Sequence, residues 1–155
     1  MTRPRPASYW DYIRVEDLLS LQSGVDASEA NLTDDEVRFI VIHQIDELWF
    51  KVVLRELVAA RNLFARPLVP EDALAGAVNS LKRITLCFEL AATHFRLMET
   101  MRTQDYLQFR DKLNPASGFQ SAQMREIEVL MGLPDEDRIP FGNEGSYLDA
   151  LKSHD

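Results

Sequence analysis

A single histidine, His43, sits inside an apolar run, Phe39-Ile40-Val41-Ile42-His43-Gln44-Ile45. Imidazole titrates near neutrality, so it can exchange a proton, bind a substrate through a hydrogen bond or ligate a metal. It can equally be a core histidine with both ring nitrogens satisfied. Much later, Tyr106 and Arg110 stand four residues apart and so share one helix face. A guanidinium beside a phenol, just ahead of a Gly/Ser turn, suits a bidentate grip on a carboxylate. The plain alternative is an arginine paired with a surface acid. Ser117-Gly118 offers a hydroxyl and backbone N–H groups at a helix start, where a polar or anionic ligand can bind; a simple helix cap is the other possibility. No Glu-x-x-His pair and no second histidine lies at ligand spacing, which argues against a carboxylate-bridged di-metal site. His94 falls beside an apolar stripe and His154 at the far end, and neither pattern marks a ligand. Cys87 reads as a small core residue, and Glu47 with Lys51 as a helix-surface salt bridge.

Long helices must position these groups. Thr33-Asp34-Asp35-Glu36 is a capping-box pattern with acids in the first turn, where the helix dipole favours them. Nothing interrupts the helix before Arg66-Pro67, so it is expected from about Asp34 to about Ala65. Val41, Ile45, Leu48, Val52 and Ala59 form one stripe; Trp49, Val53, Leu57 and Phe64 form a second beside it. Pro70-Glu71-Asp72 starts another helix. Its residues Leu74, Val78, Leu81, Thr85, Phe88, Ala92, Phe95 and Met98 alternate three and four apart, the seam of a bundle helix. The short link makes the two helices antiparallel. Thr103 is placed to cap a third helix through Leu113, which Asn114-Pro115 ends. Ser117-Gly118-Phe119-Gln120 is placed to open a fourth, to about Met131, with Ile127 and Leu130 inward.

The ends are less regular. Residues 1–8 read as a disordered arm. Tyr9-Trp10-Asp11-Tyr12-Ile13 precedes a short helix from Val15 to Leu21, and its aromatics belong either on the chain's own core or on another subunit. Residues 132–145 read as loop and Ser146–Lys152 as a short helix. The expected fold is all-α: one helical domain over 9–155, with two long antiparallel helices and several shorter ones. The 155 residues suffice for a real core, 46% are apolar, and glycine (6) and proline (7) are sparse, which favours helices. A net charge of −8 argues against binding nucleic acid. One cysteine allows no intrachain disulfide and fits a reducing cytoplasm. No signal-peptide h-region and no membrane-spanning run is present.

Taken together, these segments resemble the tryptophan 2,3-dioxygenase family. The matching stretches are Tyr9-Trp10-Asp11-Tyr12-Ile13 with Leu18-Leu19-Ser20-Leu21-Gln22, then Phe39-Ile40-Val41-Ile42-His43-Gln44 with Glu47-Leu48-Trp49-Phe50-Lys51. Met98-Glu99-Thr100-Met101 and Phe109-Arg110 with Ala116-Ser117-Gly118-Phe119-Gln120-Ser121 complete them, over roughly residues 9–131. The resemblance implies an all-helical, haem b-dependent homo-oligomer, usually a tetramer, in the cytoplasm. It implies insertion of both atoms of O₂ across the indole C2–C3 bond of L-tryptophan, giving N-formylkynurenine in tryptophan catabolism. By resemblance His43 hydrogen-bonds the indole N–H, Phe39 packs on the indole, and Arg110 with Tyr106 binds the carboxylate. Ser117 and Gly118 lie near the haem, and Tyr9, Tyr12 and Ile13 reach a neighbouring subunit's site. The family's iron-ligating histidine lies in a C-terminal half, and none of His43, His94 and His154 matches it. The finish after Leu151 reads as a family chain cut partway. Three expectations stand side by side: an enzyme subunit completed by another chain or a substitute ligand; a haem-free helical module keeping the indole pocket or the oligomer interface; and a plain scaffold bundle.

Overall fold

The computed structural model describes residues 8–26 and 28–138. The expected arm (apart from Ser8), the expected helix at Ser146–Lys152 and His154 lie outside the described residues. Every regular element among the described residues is helical: α1 (Tyr9–Ile13), α2 (Val15–Leu19), α3 (Asp34–Phe64), α4 (Glu71–Phe95), α5 (Thr103–Leu107), α6 (Arg110–Leu113) and α7 (Ala122–Leu130), with short 3₁₀ turns between. The two long helices fall where capping and the absence of breakers place them. Thr33 Oγ1 accepts the Glu36 N–H at 3.2 Å, and α3 then runs without glycine or proline to Phe64. The Glu36 side chain does not return to Thr33 to close a capping box. It is 3% exposed and accepts from Lys112 Nζ at 3.0 Å, tying the start of α3 to α6.

The core lies where α3 packs along α4 and α7 crosses α3. Val53, Ile84, Cys87 and Ile127 are buried together, and Trp49, Phe50, Leu54, Leu57 and Phe88 pack against them. Each such aliphatic side chain contributes about 1.5–3 kcal/mol on full burial. Cys87 is the small core residue expected, and Ile127 points inward as expected. The second α3 stripe supplies the core through Trp49, Val53 and Leu57, while Phe64 at its end is exposed; the first emerges into solvent at Leu48 and Val52.

The seam expected on α4 packs only at Phe88; the helix is buried mainly along another line. Ala77, Ser80, Ile84 and Cys87 are buried, whereas Leu74, Val78, Leu81 and Phe95 are exposed. The buried set also alternates three and four apart, one residue out of register with the expected set. It carries mostly smaller side chains, the kind that permit a short distance between packed helices. The helix itself ends at Phe95, ahead of Met98.

The expected helix over Thr103–Leu113 is two helices. Thr103 is the first helical residue, not the cap; Arg102 holds that position and pairs with Asp105. Phe109 leaves helical geometry (φ −122°, ψ −2°), and its ring is 1% exposed. Burying that ring against Phe39, 5.5 Å between centroids, outweighs one more helical turn. The Ser117–Gln120 capping box is present, but it opens only a three-residue 3₁₀ turn. Ser121 caps α7 instead, accepting from Met124 N at 3.1 Å. At the start of the chain, the aromatic segment is itself helical. Arg14, with φ 54°, breaks it from α2, which ends at Leu19 and not Leu21. Gln22 donates to Gln44 Oε1 at 2.6 Å, and Gln44 donates to the Leu21 carbonyl at 2.9 Å. These bonds pin the α2 end to α3, one residue past His43.

Candidate functional site

His43 projects from the middle of α3 into a cleft of about 770 Å³ walled by Phe39, Phe50, Phe95, Phe119 and Met124. Its Nδ1 lies 2.7 Å from the Phe39 carbonyl oxygen, one turn back. A carbonyl only accepts, so Nδ1 carries the hydrogen, and a neutral ring leaves Nε2 as an acceptor. The Phe39 ring tilts over the imidazole at 4.1 Å between centroids, and Phe95 meets it edge-on at 6.5 Å. An acceptor nitrogen set against aromatic walls suits a flat apolar molecule with an N–H donor.

Ser117 and Gly118 line the same cleft. The Ser117 hydroxyl accepts from Phe119 N at 3.3 Å, and Gln120 Oε1 accepts from Ser117 N at 2.9 Å. The Gln120 and Ser121 N–H groups bond to carbonyls of the turn. The expected row of open N–H groups is therefore largely used internally, because the turn closes on itself. A Cβ on Gly118 would meet nothing of this chain within 4 Å, so the space above it is open to a ligand.

Tyr106 and Arg110 now belong to different helices yet remain partners. Arg110 Nη1 donates to the Tyr106 hydroxyl at 2.6 Å, and the guanidinium carbon lies 5.5 Å from the ring centre. Neither lines the cleft. They stand behind Phe39, whose ring is 6.3 Å from that of Tyr106. Tyr9, Tyr12 and Ile13 contribute nothing to this chain's cleft; Tyr9 is 72% and Tyr12 75% exposed. Glu47 does not form the expected surface pair with Lys51. Its carboxylate accepts from Gln123 of α7 at 2.7 Å, because α7 crosses α3 at this point.

Four further residues of the site were not legible beforehand. Asp46 lines the cleft, and His94 Nε2 approaches its Oδ1 at 3.2 Å. Burial pushes the Asp46 carboxyl up, against the opposing influence of His94 and His43. Arg125 and Glu128, 5% and 9% exposed, form an ion pair at 2.9 Å on α7 and line the same cleft. Their i,i+3 spacing was the available signal. Among the described residues no group of three potential metal ligands converges.

A family model described as tryptophan 2,3-dioxygenase matches residues 3–155, a wider span than the 9–131 expected. The chain is 60% identical over 148 residues to a tryptophan 2,3-dioxygenase of Sorangium cellulosum (strain So ce56), covering 96% of this chain and 36% of that protein. It is 55% identical over 148 residues to tryptophan 2,3-dioxygenase 2 of Ralstonia nicotianae, covering 96% and 40%. Tryptophan 2,3-dioxygenase B of Danio rerio is 39% identical over 142 residues, covering 91% and 35%. The chain thus spans well under half the length of these curated relatives.

Proposed function

Because the chain belongs to the tryptophan 2,3-dioxygenase family, we propose that it forms the substrate side of a haem-dependent site adding O₂ to L-tryptophan. The observation that carries this reading is His43: its Nδ1–H is spent on the Phe39 carbonyl, leaving Nε2 for the indole N–H. Phe39 packs on the indole ring. Arg110, held by Tyr106, takes the carboxylate of the amino acid, with the phenol fixing the guanidinium's direction. Ser117 and Gly118 border the haem. Tyr9, Tyr12 and Ile13, exposed at one end, fit a role in a second subunit's site within a homo-oligomer.

The cleft fits a flat macrocycle on one face. Its walls are aromatic, its opening includes the unobstructed Gly118, and its size lies within the range of ligand sites. Phe50, Phe95 and Phe119 would hold the ring. Bound there, haem supplies the activation of O₂ that no amino-acid side chain provides. Neither described histidine suits the opposite, iron-ligating face: His43 serves the substrate, and His94 faces Asp46. That ligand comes from outside the described residues. No described helix is long and apolar enough to cross a membrane.

Haemin titration of the 155-residue chain, followed in the Soret band, tests the proposal. The expected result is a saturable one-to-one spectrum that L-tryptophan perturbs and that loses this response in His43→Ala. A featureless titration would overturn haem binding by this chain and leave the haem-free module reading in its place.

A further inference from the structure

α7 carries a buried ion pair in the cleft wall that the roles of His43 and Arg110 leave unused. Arg125 and Glu128 are both buried and both border the cleft. Arg125 Nη1 stands 2.9 Å from Glu128 Oε2, but the two are not aligned for a hydrogen bond. Nε and Nη1 of Arg125 and Oε2 of Glu128 are all buried without a hydrogen-bond partner. A guanidinium carries five N–H donors, and a buried charge with open donors is costly. Buried polar groups in folded proteins are nearly always bonded, so these atoms call for a partner. The space beside them is a cleft of about 770 Å³.

The charges of the wall narrow what that partner is. Among the described residues, Arg125 is the single lysine or arginine lining the cleft, against the acids Asp46, Glu47 and Glu128. A dianion such as a phosphate ester would meet three acids for one cation. A carboxylate carries one charge and matches the planar guanidinium. The aromatic walls suit a flat body joined to it. The start of α7 is fixed just ahead of Arg125. Ser121 Oγ accepts from Met124 N at 3.1 Å, and Gln123 Nε2 donates to the carbonyl and the carboxylate of Glu47 at 2.9 and 2.7 Å. These bonds tie α7 to α3 and put Arg125 on the same cleft as His43.

We propose that Arg125 is a carboxylate-binding residue of the cleft, with Glu128 as its internal counter-ion until a ligand carboxylate takes the open donors. This rests on the reading of the cleft as the site of flat aromatic ligands. Two ligands of that reading bear carboxylates: the macrocycle, through its propionates, and the amino acid. Because Arg110 is read as holding the amino acid's carboxylate, a propionate is the expected partner of Arg125.

The experiment compares ligands with and without the carboxylate on the full chain. Haemin is set against its dimethyl ester in the Soret band, and L-tryptophan against tryptamine by calorimetry. Arg125→Met with Glu128→Leu removes both charges at similar volume, a change that folded proteins often tolerate at buried pairs. It should weaken haemin binding by about 10- to 100-fold and leave the ester within about twofold. A loss confined to L-tryptophan, with tryptamine unmoved, would support the same role for Arg125 and make the amino acid the source of the carboxylate. Equal losses within both pairs, or none, overturn the proposal. A wild-type chain that binds neither the ester nor tryptamine would overturn the cleft reading, and this proposal with it. Glu128→Gln tests the opposite sign. Freed of its counter-ion, the guanidinium should bind the carboxylate-bearing ligand more tightly and leave the carboxylate-free one unchanged. That variant decides should the double variant lose its helicity, and unmoved or weaker carboxylate binding in it refutes the role.

Discussion

At the residue scale, the proposed function would divide the labour between an acceptor nitrogen on His43, answering an N–H, and the Arg110 guanidinium, answering a carboxylate, with Phe39 packed against both His43 and Tyr106. The division can be tested with two ligands that differ only in the carboxylate. Arg110→Ala should weaken L-tryptophan binding by about 10- to 100-fold, the range of a charge-assisted hydrogen bond. Tryptamine, which has no carboxylate, should be affected by no more than about twofold. Calorimetric titration of both ligands reads the difference, and equal losses would remove Arg110 from this role. Tyr106→Phe should reproduce part of the loss, since it frees the guanidinium from its 2.6 Å partner.

At the element scale, the sequence carries both long helices plainly and hides which side of one of them packs. α3 and α4 are bounded by Thr33, Pro67 and Pro70, signals written in single residues. On α4, however, two apolar seams alternate three and four apart, offset by one residue, and periodicity cannot choose between them. The seam through Ala77, Ser80, Ile84 and Cys87 is the buried one; its mostly small side chains permit closer helix packing than the larger set would. The same one-residue ambiguity concealed the Asp46–His94 pair, since His94 continues the buried seam and Phe95 the exposed one. Phe39 and His43 fall on α3 as their apolar run predicts, whereas Ser117 and Gly118 open a short 3₁₀ turn and not the long helix their pattern suggested. The break at Phe109 was not legible, because it is won by tertiary burial of one ring. A paired substitution checks the seam. Ala77→Leu should overpack the α3–α4 contact and cost about 1–3 kcal/mol. Val78→Leu, one residue away and 49% exposed, should stay within about 0.5 kcal/mol. Urea denaturation followed by circular dichroism at constant m-value measures both; similar costs would mean the larger seam packs in solution.

At the scale of the whole molecule, the larger α4 seam has a consequence for behaviour in solution. Leu74, Val78, Leu81 and Phe95 on α4 and Leu48, Val52 and Phe64 on α3 are all exposed large hydrophobics. At about 25 cal/mol per Å², covering even part of such a surface outweighs the modest repulsion of a net charge of −8 at physiological salt, where the Debye length is about 8 Å. Leu74, Val78 and Leu81 lie three and four apart on one face of α4, and an exposed apolar stripe of this kind marks an interaction face. The 155-residue chain should therefore associate with itself, its weight-average mass in static light scattering rising with concentration. Raising salt should strengthen the association by screening the acidic charge, the opposite of what an assembly held by ion pairs would do. Leu81→Glu and Val78→Glu should weaken it without lowering helicity, since neither side chain belongs to the packed seam. A concentration-independent monomer mass across the micromolar range would refute the prediction. A mass unmoved by both substitutions would shift the interaction to another exposed apolar group, such as the α1 aromatics Tyr9, Trp10 and Tyr12.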